Sequence, residues 1–358
     1  MAGNTTGSIF RVTTWGESHG EALGAIVDGC PAGLKIDRAD IQQALDRRRP
    51  GKSAASTTRD EGDKVEILSG VFAGKTTGMP ISLLIRNSNI RSADYDEVKD
   101  VFRPGHGDFT YWEKYGIRDW RGGGRSSGRE TAARVAAGAI AAKLIGKAGM
   151  EVLAYTRAIG GIEINLKKMP EVKKLCRLVR ASDLFCPDTQ AAAAMEKKMA
   201  EVRAAGDSLG GIVEVVVHGC PPGLGEPVFD KMDAALSGAL MSIGSVKAVE
   251  VGDGFAVARM RGSQVNDQMG KNGFLSNHAG GILAGITNGE DIILRVYCKP
   301  VPSIACEQQT VDEKGKLRKI KISGRHDACV LPRIIPVCEA MVSMVLADQW
   351  LRQRAAKS

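Results

Sequence analysis

Apolar and polar positions along the 358-residue chain fall into short runs of two periods. Strand-length runs occur at Lys64 to Leu68, Ile81 to Arg86, Ile212 to Val217, Val246 to Val251 and Ile292 to Tyr297, and another begins at Ile9. Helical spacing covers Asp40 to Arg48, Thr131 to Lys147, Thr189 to Ala205, Lys231 to Met241 and Pro336 to Gln353. The run Ala132 to Ala142 is apolar on nearly every face, which predicts a buried helix. Strands fall between helices without the strict alternation of a doubly wound sheet. The prediction is an α+β fold of antiparallel sheets covered by a helical layer, not a Rossmann domain.

The pattern also echoes itself. Ala25-Ile-Val-Asp-Gly-Cys-Pro-Ala-Gly-Leu34 matches Val215-Val-Val-His-Gly-Cys-Pro-Pro-Gly-Leu224, each an apolar strand ending in a Gly/Pro turn. Beyond each turn stands an Asp suited to cap a helix, Asp37 and Asp230. An internal duplication is predicted, with halves of about 1–200 and 201–358 packed as a single domain over 1–358, because no Pro/Ser-rich linker separates them.

Composition narrows the class. With 43% hydrophobic and 25% charged residues the chain should fold rather than stay disordered. Its 43 Gly exceed the usual share of about 7%, so much backbone turns tightly or approaches something closely. Net charge is +8, which favours an anionic partner such as a phosphorylated metabolite, nucleic acid or acidic membrane. The best apolar stretch, Ile334 to Leu346, is short for a span, interrupted by Glu339 and flanked by Arg333 and Asp348, so it reads as a buried helix. Met1 to Phe10 has neither a basic start nor a long apolar run, so no secretory signal is predicted and the expected compartment is the cytoplasm. The 8 cysteines show no zinc-site spacing and are expected to be reduced, mostly buried thiols, with no metal site.

Several segments carry chemistry, each with a blander reading beside it. Gly16-Glu-Ser-His-Gly20 either turns tightly with a surface His or brings His19 to a bound group for proton exchange. The polar stretch between Asp46 and Asp63, with Arg47-Arg-Arg-Pro-Gly-Lys52, is a solvated charge run or a loop that closes over an anion. Arg103-Pro-Gly-His-Gly-Asp108 again sets a His beside Gly and Arg. Arg121-Gly-Gly-Gly-Arg-Ser-Ser-Gly-Arg-Glu130 approaches the buried small-residue helix, with Ser127 and Glu130 at capping-box spacing. Free amides and the helix dipole make such a start an anion site that Arg125 and Arg129 would reinforce. Its rivals are a merely structural helix start and an Arg-Gly-Gly nucleic-acid segment. Gly324-Arg-His-Asp327 places Asp327 beside Arg325, as a proton acceptor or as an ion pair that fixes a loop. His218 ends a strand, and His278 shapes a turn. From the residues alone follows an enzyme that binds a multiply anionic small molecule, with His and Asp moving protons. The rivals are a basic RNA-binding protein and a nicotinamide-dependent flavin reductase.

These segments together resemble the chorismate synthase family. The match runs through Phe10 to Gly20, Asp46 to Gly51, Val101 to Asp108, Gly123 to Ala139, Ala239 to Ile243, Val249 to Phe255, Ser276 to Ile282, Lys299-Pro300 and Gly324 to Asp327. The resemblance implies antiparallel sheets sandwiching a helical layer, a homotetramer, and anti elimination of phosphate from 5-enolpyruvylshikimate 3-phosphate to give chorismate, the last step of the shikimate pathway. It implies reduced flavin mononucleotide (FMN), needed without net oxidation, with NADPH only as a source of reducing equivalents and a separate flavin reductase as the alternative. No nucleic acid or membrane is implied.

Residue by residue, the resemblance makes His19 the proton donor to the departing phosphate and His106 the proton donor to reduced flavin. Asp327 becomes the acid that removes the substrate proton by way of flavin N5, and Ser18 and Ser127 become proton relays. Flavin contacts fall on Arg125, Ser126, Ser127, Gly244, Ser245, Ala284, Lys299, Pro300, Val301, Pro302, Ser303 and Arg325. Substrate anions fall to Arg48, Arg49, Arg129 and Arg325. Three departures from the family pattern stand out: Ala54 replaces a basic residue associated with nicotinamide nucleotide, leaving Arg48 for any such contact; Ala284 replaces a common Gly; and Gly244-Ser245 replaces Asn-Ala.

Overall fold

The computed structural model describes residues 3–49, 62–88, 95, 98–165, 170–322 and 327–356. β1 (Thr5–Thr6) pairs with β2 (Arg11–Gly16), which turns back antiparallel into β3 (Ala22–Asp28). α1 (Arg38–Arg48) follows in a capping box: the Asp37 carboxylate accepts from the Asp40 amide, and the Asp40 carboxylate from that of Asp37. β4 (Val65–Ile67), the small hairpin of β5 (Val71–Phe72) and β6 (Lys75–Thr76), and β7 (Ile81–Arg86) come next, giving a sheet of order β1-β2-β3-β7-β4. α2 (Asp108–Tyr115) and α3 (Thr131–Gly146) close this series.

β8 (Glu151–Ile159) opens a second series, with β9 (Ile162–Glu163), α4 (Val172–Ala181) and α5 (Thr189–Ala204) ahead of β10 (Gly211–His218). Then come α6 (Met232–Met241), β11 (Val246–Val251), α7 (Gly262–Val265) and the hairpins of β12 (Met269–Gly270) with β13 (Gly273–Phe274) and β14 (Ile282–Leu283) with β15 (Ile286–Thr287). β16 (Ile292–Cys298) completes a sheet of order β9-β8-β10-β16-β11. A hairpin of β17 (Gln308–Val311) and β18 (Leu317–Ile320) precedes α8 (Leu331–Ala356).

Both five-stranded sheets are antiparallel, so the α+β expectation holds. α3 lies on β2, β3 and β7 of the first sheet, α8 on β8 and β10 of the second, and the two helices pack on each other, so helices fill the space between the sheets. Period-2 strands turn their aliphatic faces inward. Ile292, Leu294 and Val296 of β16 are fully buried, each worth about 1.5–3 kcal/mol of transfer energy. The small residues of α3 permit a close crossing: a Cβ on Gly138 would stand 2.3 Å from that of Ala340.

The two echoed turns are pinned alike. The Thr76 hydroxyl donates to the Pro31 carbonyl at 2.6 Å and accepts from the Leu34 amide at 2.9 Å. The Thr287 hydroxyl donates to Pro221 at 2.7 Å and accepts from Leu224 at 2.9 Å. The caps differ, however. Asp230 faces Arg352, and Lys231 is the N-cap of α6 with no side-chain bond. α8 starts at Leu331, so Pro336 lies inside it rather than opening it. This helix is long and apolar enough to cross a membrane, but 78% of its apolar window is buried within the protein.

Candidate active site

Seven separate stretches of chain converge on a cavity of about 380 Å³. The loop before α2 and the loop after β16 meet through His106. Its Nε2 lies 2.9 Å from Ser303 Oγ, and its Nδ1 lies 3.1 Å from the Pro104 carbonyl. A carbonyl can only accept, so Nδ1 carries the proton and Nε2 accepts from the Ser303 hydroxyl. Burial first, then the Arg103 cation, pushes the His106 pKa down to about 4, so the ring is neutral near pH 7. Lys299 ties the same two loops by donating to the Gly105 carbonyl at 2.7 Å. Burial, and secondly Lys247, hold its ammonium below the usual range. Arg103 is fixed in two-point geometry on Asp108, at 2.7 and 2.8 Å, with its guanidinium over the Tyr95 ring.

The turn after β2 supplies Ser18 and His19. His19 meets Tyr95 edge-on, ring centroids 5.3 Å apart. Gly122 presses against this turn from the other side: at φ +67 its Cβ would sit 2.7 Å from His19 Nε2 and 3.1 Å from Ser18 Oγ. Ser18 Oγ is buried and has no hydrogen-bond partner among the described residues. At the start of α3, the predicted capping box gives way to a 3-10 turn, Gly128–Glu130. Ser127 accepts from the Arg129 amide, while the Glu130 carboxylate is drawn to Arg134.

Arg48 is 5% exposed and reaches into this wall from α1. It donates to Thr131 Oγ1 at 3.0 Å, to the Gly128 carbonyl at 2.8 Å and to Asp63 Oδ2 at 3.3 Å. Arg129 donates to Asn87 Oδ1 at 3.1 Å and to Asp63 Oδ1. Opposite, Asp327 pairs with Arg333 at 2.9 Å. Ser126, Ser127, Gly244, Ser245, Val301 and Pro302 complete the lining among the expected residues.

Other expected residues lie elsewhere. Arg125 turns away, donating to the carbonyls of Gly16 and Thr14, because those β2 acceptors lie on the far side of the glycine turn. Arg49 donates to the Gly62 carbonyl and stands 3.5 Å from Asp46. Pro300 packs on Gly210. Ala284 sits at the tip of the β14–β15 hairpin at φ +51, outside the cavity lining, a left-handed position that explains why glycine suits it. Arg325, Ala54 and most of the 46–63 stretch lie outside the described residues.

Sequence reasoning missed Arg333, Tyr95 and Asp63. A cation in the first turn of an apolar helix, where the dipole disfavours it, was the available signal for Arg333. For Asp63, whose partners lie far along the chain, there was none.

A family model described as chorismate synthase matches residues 10–351. A chorismate synthase of Syntrophus aciditrophicus is 62% identical over 355 residues, covering 99% of each chain, and one of Syntrophobacter fumaroxidans is 58% identical over 351 residues, covering 98% of each. A solved chorismate synthase crystal structure superposes with a TM-score of 0.78 at 34% identity, covering 97% of this chain and 93% of that one. The chain belongs to the chorismate synthase family. It is therefore a carbon–oxygen lyase of aromatic amino acid biosynthesis that eliminates phosphate from 5-enolpyruvylshikimate 3-phosphate to give chorismate. A chorismate synthase substrate carries a phosphate and two carboxylates, and the cationic side chains Arg48, Arg103, Arg129, Lys299 and Arg333 lining this cavity match that charge.

Proposed function

We propose that the cavity holds substrate and reduced FMN together, with His19, His106 and Asp327 moving the protons of the elimination. The observation that carries this is their convergence, from three distant stretches of sequence, on one arginine-rich cavity. The orphaned Ser18 hydroxyl is a buried polar group left for a ligand to satisfy, and Gly105, Gly122 and Gly123 let the backbone pack closely on Pro302, His19 and Ser126 in the cavity wall. Reduced flavin, when bound, supplies the transient electron that eases loss of phosphate.

His19, beside Ser18, protonates the departing phosphate, and Ser18 relays the proton. Ser127 keeps its hydroxyl proton for donation, because its oxygen already caps the Arg129 amide. Asp327, ion-paired with Arg333, receives the proton lost from substrate carbon. His106 is neutral because burial and Arg103 outweigh the nearby Asp108 carboxylate; further negative charge in the cavity raises its affinity for a proton and lets Nε2 donate. Arg48 and Arg129 take substrate anions. NADPH oxidation by the pure protein with FMN would assign flavin reduction to this chain; its absence would assign it to a separate reductase.

The assembly we propose is a homotetramer. Support comes from exposed apolar side chains on loops and hairpins, among them Phe72, Phe229, Leu275 and Leu283. In such an assembly one copy can carry its Ala284 hairpin to the cavity of another. Free, mostly buried cysteines support a cytoplasmic setting. We also read the fold as an internal duplication. Strand, strand, helix, strand, hairpin, strand and long helix recur in that order, dividing between α3 and β8 near residue 150 rather than near 200.

Titrating chemically reduced FMN into substrate-loaded protein, followed by flavin absorbance, tests the site. Binding should saturate at one per chain and should be lost in Gly105→Val, whose Cβ would stand 2.7 Å from that of Pro302. Binding that ignores this substitution in folded protein would move the flavin elsewhere.

A further inference from the structure

We infer that Asp108 is a positioning residue for proton transfer at His106: it clamps Arg103 in the cavity wall and offsets that cation beside the imidazole. The inference rests on the reading that His106 donates a proton in the reaction. Asp108 is 4% exposed and opens α2. Its Oδ2 accepts from the Arg103 amide at 3.0 Å and from Arg103 Nε at 2.7 Å, and its Oδ1 accepts from Nη2 at 2.8 Å. The His106 amide in turn donates to the Arg103 carbonyl at 3.2 Å, so the loop that carries the imidazole closes on this pair.

Among the described residues, the charges that bear most on the imidazole are Arg103 and Asp108 beside it in sequence and Lys299 on the loop after β16. The two cations disfavour its protonation and the carboxylate favours it. The other titratable side chains of the cavity, His19, Arg48, Tyr95, Arg129, Asp327 and Arg333, are common to the enzyme and to any variant at 108. Burial opposes ionisation of Asp108, but hydrogen bonds and charge from Arg103, with Arg118 farther off at 4.0 Å, hold its carboxyl below the usual range. It is therefore an anion near neutral pH. Arg118 has acceptors of its own in the carbonyls of Lys99 and Val101 and the Glu313 carboxylate. Arg103 meets no carboxylate but Asp108 among the described residues. Without the Asp108 charge, a full cation faces a ring that must take up a proton before it can give one.

The test is the pH profile of kcat in the intact enzyme at saturating substrate and reduced flavin, for wild type, Asp108→Asn and Asp108→Glu. Asp108→Asn should move the alkaline limb, where His106 gives up its proton, about one unit towards lower pH, the order expected for one nearby charge at a protein's effective dielectric. On that limb kcat should fall about tenfold with KM changed less than about twofold. Asp108→Glu keeps the charge and should leave the limb near its wild-type position. Where Asp108→Asn fails to fold because a buried cation is left unpaired, Asp108→Asn combined with Arg103→Met removes both charges. Its limb should lie at higher pH than that of the wild type, since Arg103 weighs on the imidazole more than Asp108 does; a limb at or below the wild-type position would contradict the inference. His106→Ala serves as the control and should abolish the limb in the residual activity. If it does so while Asp108→Asn leaves the limb in place, or while Asn and Glu shift it alike, Asp108 does not have this role. If the limb persists in His106→Ala, the proton-donor reading of His106 fails, and this inference fails with it.

Discussion

His106 Nε2 accepts a hydrogen bond from Ser303 Oγ at 2.9 Å, across 197 residues of sequence. That contact joins the two loops that form one side of the cavity, while the Pro104 carbonyl at Nδ1 fixes the imidazole's tautomer. His106→Ala should therefore lower kcat by about 10²–10⁴-fold, the usual range for loss of a general acid, with a far smaller change in KM. Steady-state kinetics at saturating reduced flavin give both numbers. An unchanged kcat would remove His106 from the chemistry.

The same residue gives stability a pH dependence. Folding holds the His106 pKa at about 4, against an ordinary value of 6.5. Above 6.5 the ring is neutral in both states, and its contribution is complete. As pH falls from 6.5 towards 4 the unfolded chain binds the proton first, so stability is lost across that window. Urea unfolding at pH 6.5 and 4.5 should show a larger loss in the wild type than in His106→Gln.

Gly122 tests how closely the His19 turn is held. Gly122→Ala places a methyl 2.7 Å from the His19 ring at a backbone angle alanine disfavours. Turnover should fall about 10²-fold through misplaced geometry, while thermal stability drops only modestly. Full activity in the variant would show that His19 need not stay where the structure puts it.

Gly138→Leu tests the helical layer away from the site. Ala340 leaves no room for a side chain on Gly138, so overpacking should cost about 1–3 kcal/mol, read from denaturant midpoints. A smaller loss would mean that α3 and α8 can separate without penalty.

Much of this architecture was legible in the chain. β7 and β11 fall where their apolar runs put them, and α3 differs from its predicted range by one residue, because burial on one or all faces writes a period into sequence. α2 went unread: its eight residues are short and aromatic, and Gly107 and Gly116 bracket them like a loop. Family motifs pointed to His19, His106 and Asp327, and those three line one cavity. Arg125 lies outside that lining, since a guanidinium beside a helix start is equally well satisfied by the β2 carbonyls behind it. Asp63 could not be read at all. Its meaning lies in Arg48 and Arg129, brought together only by α1 packing against α3.

The most direct test is anaerobic turnover: pure protein, chemically reduced FMN and 5-enolpyruvylshikimate 3-phosphate, followed for chorismate and free phosphate. Equimolar release of both, dependent on reduced flavin and with no net flavin oxidation, is the predicted result. Well-folded protein that releases neither product, or that releases phosphate only as flavin is stoichiometrically oxidised, would contradict it.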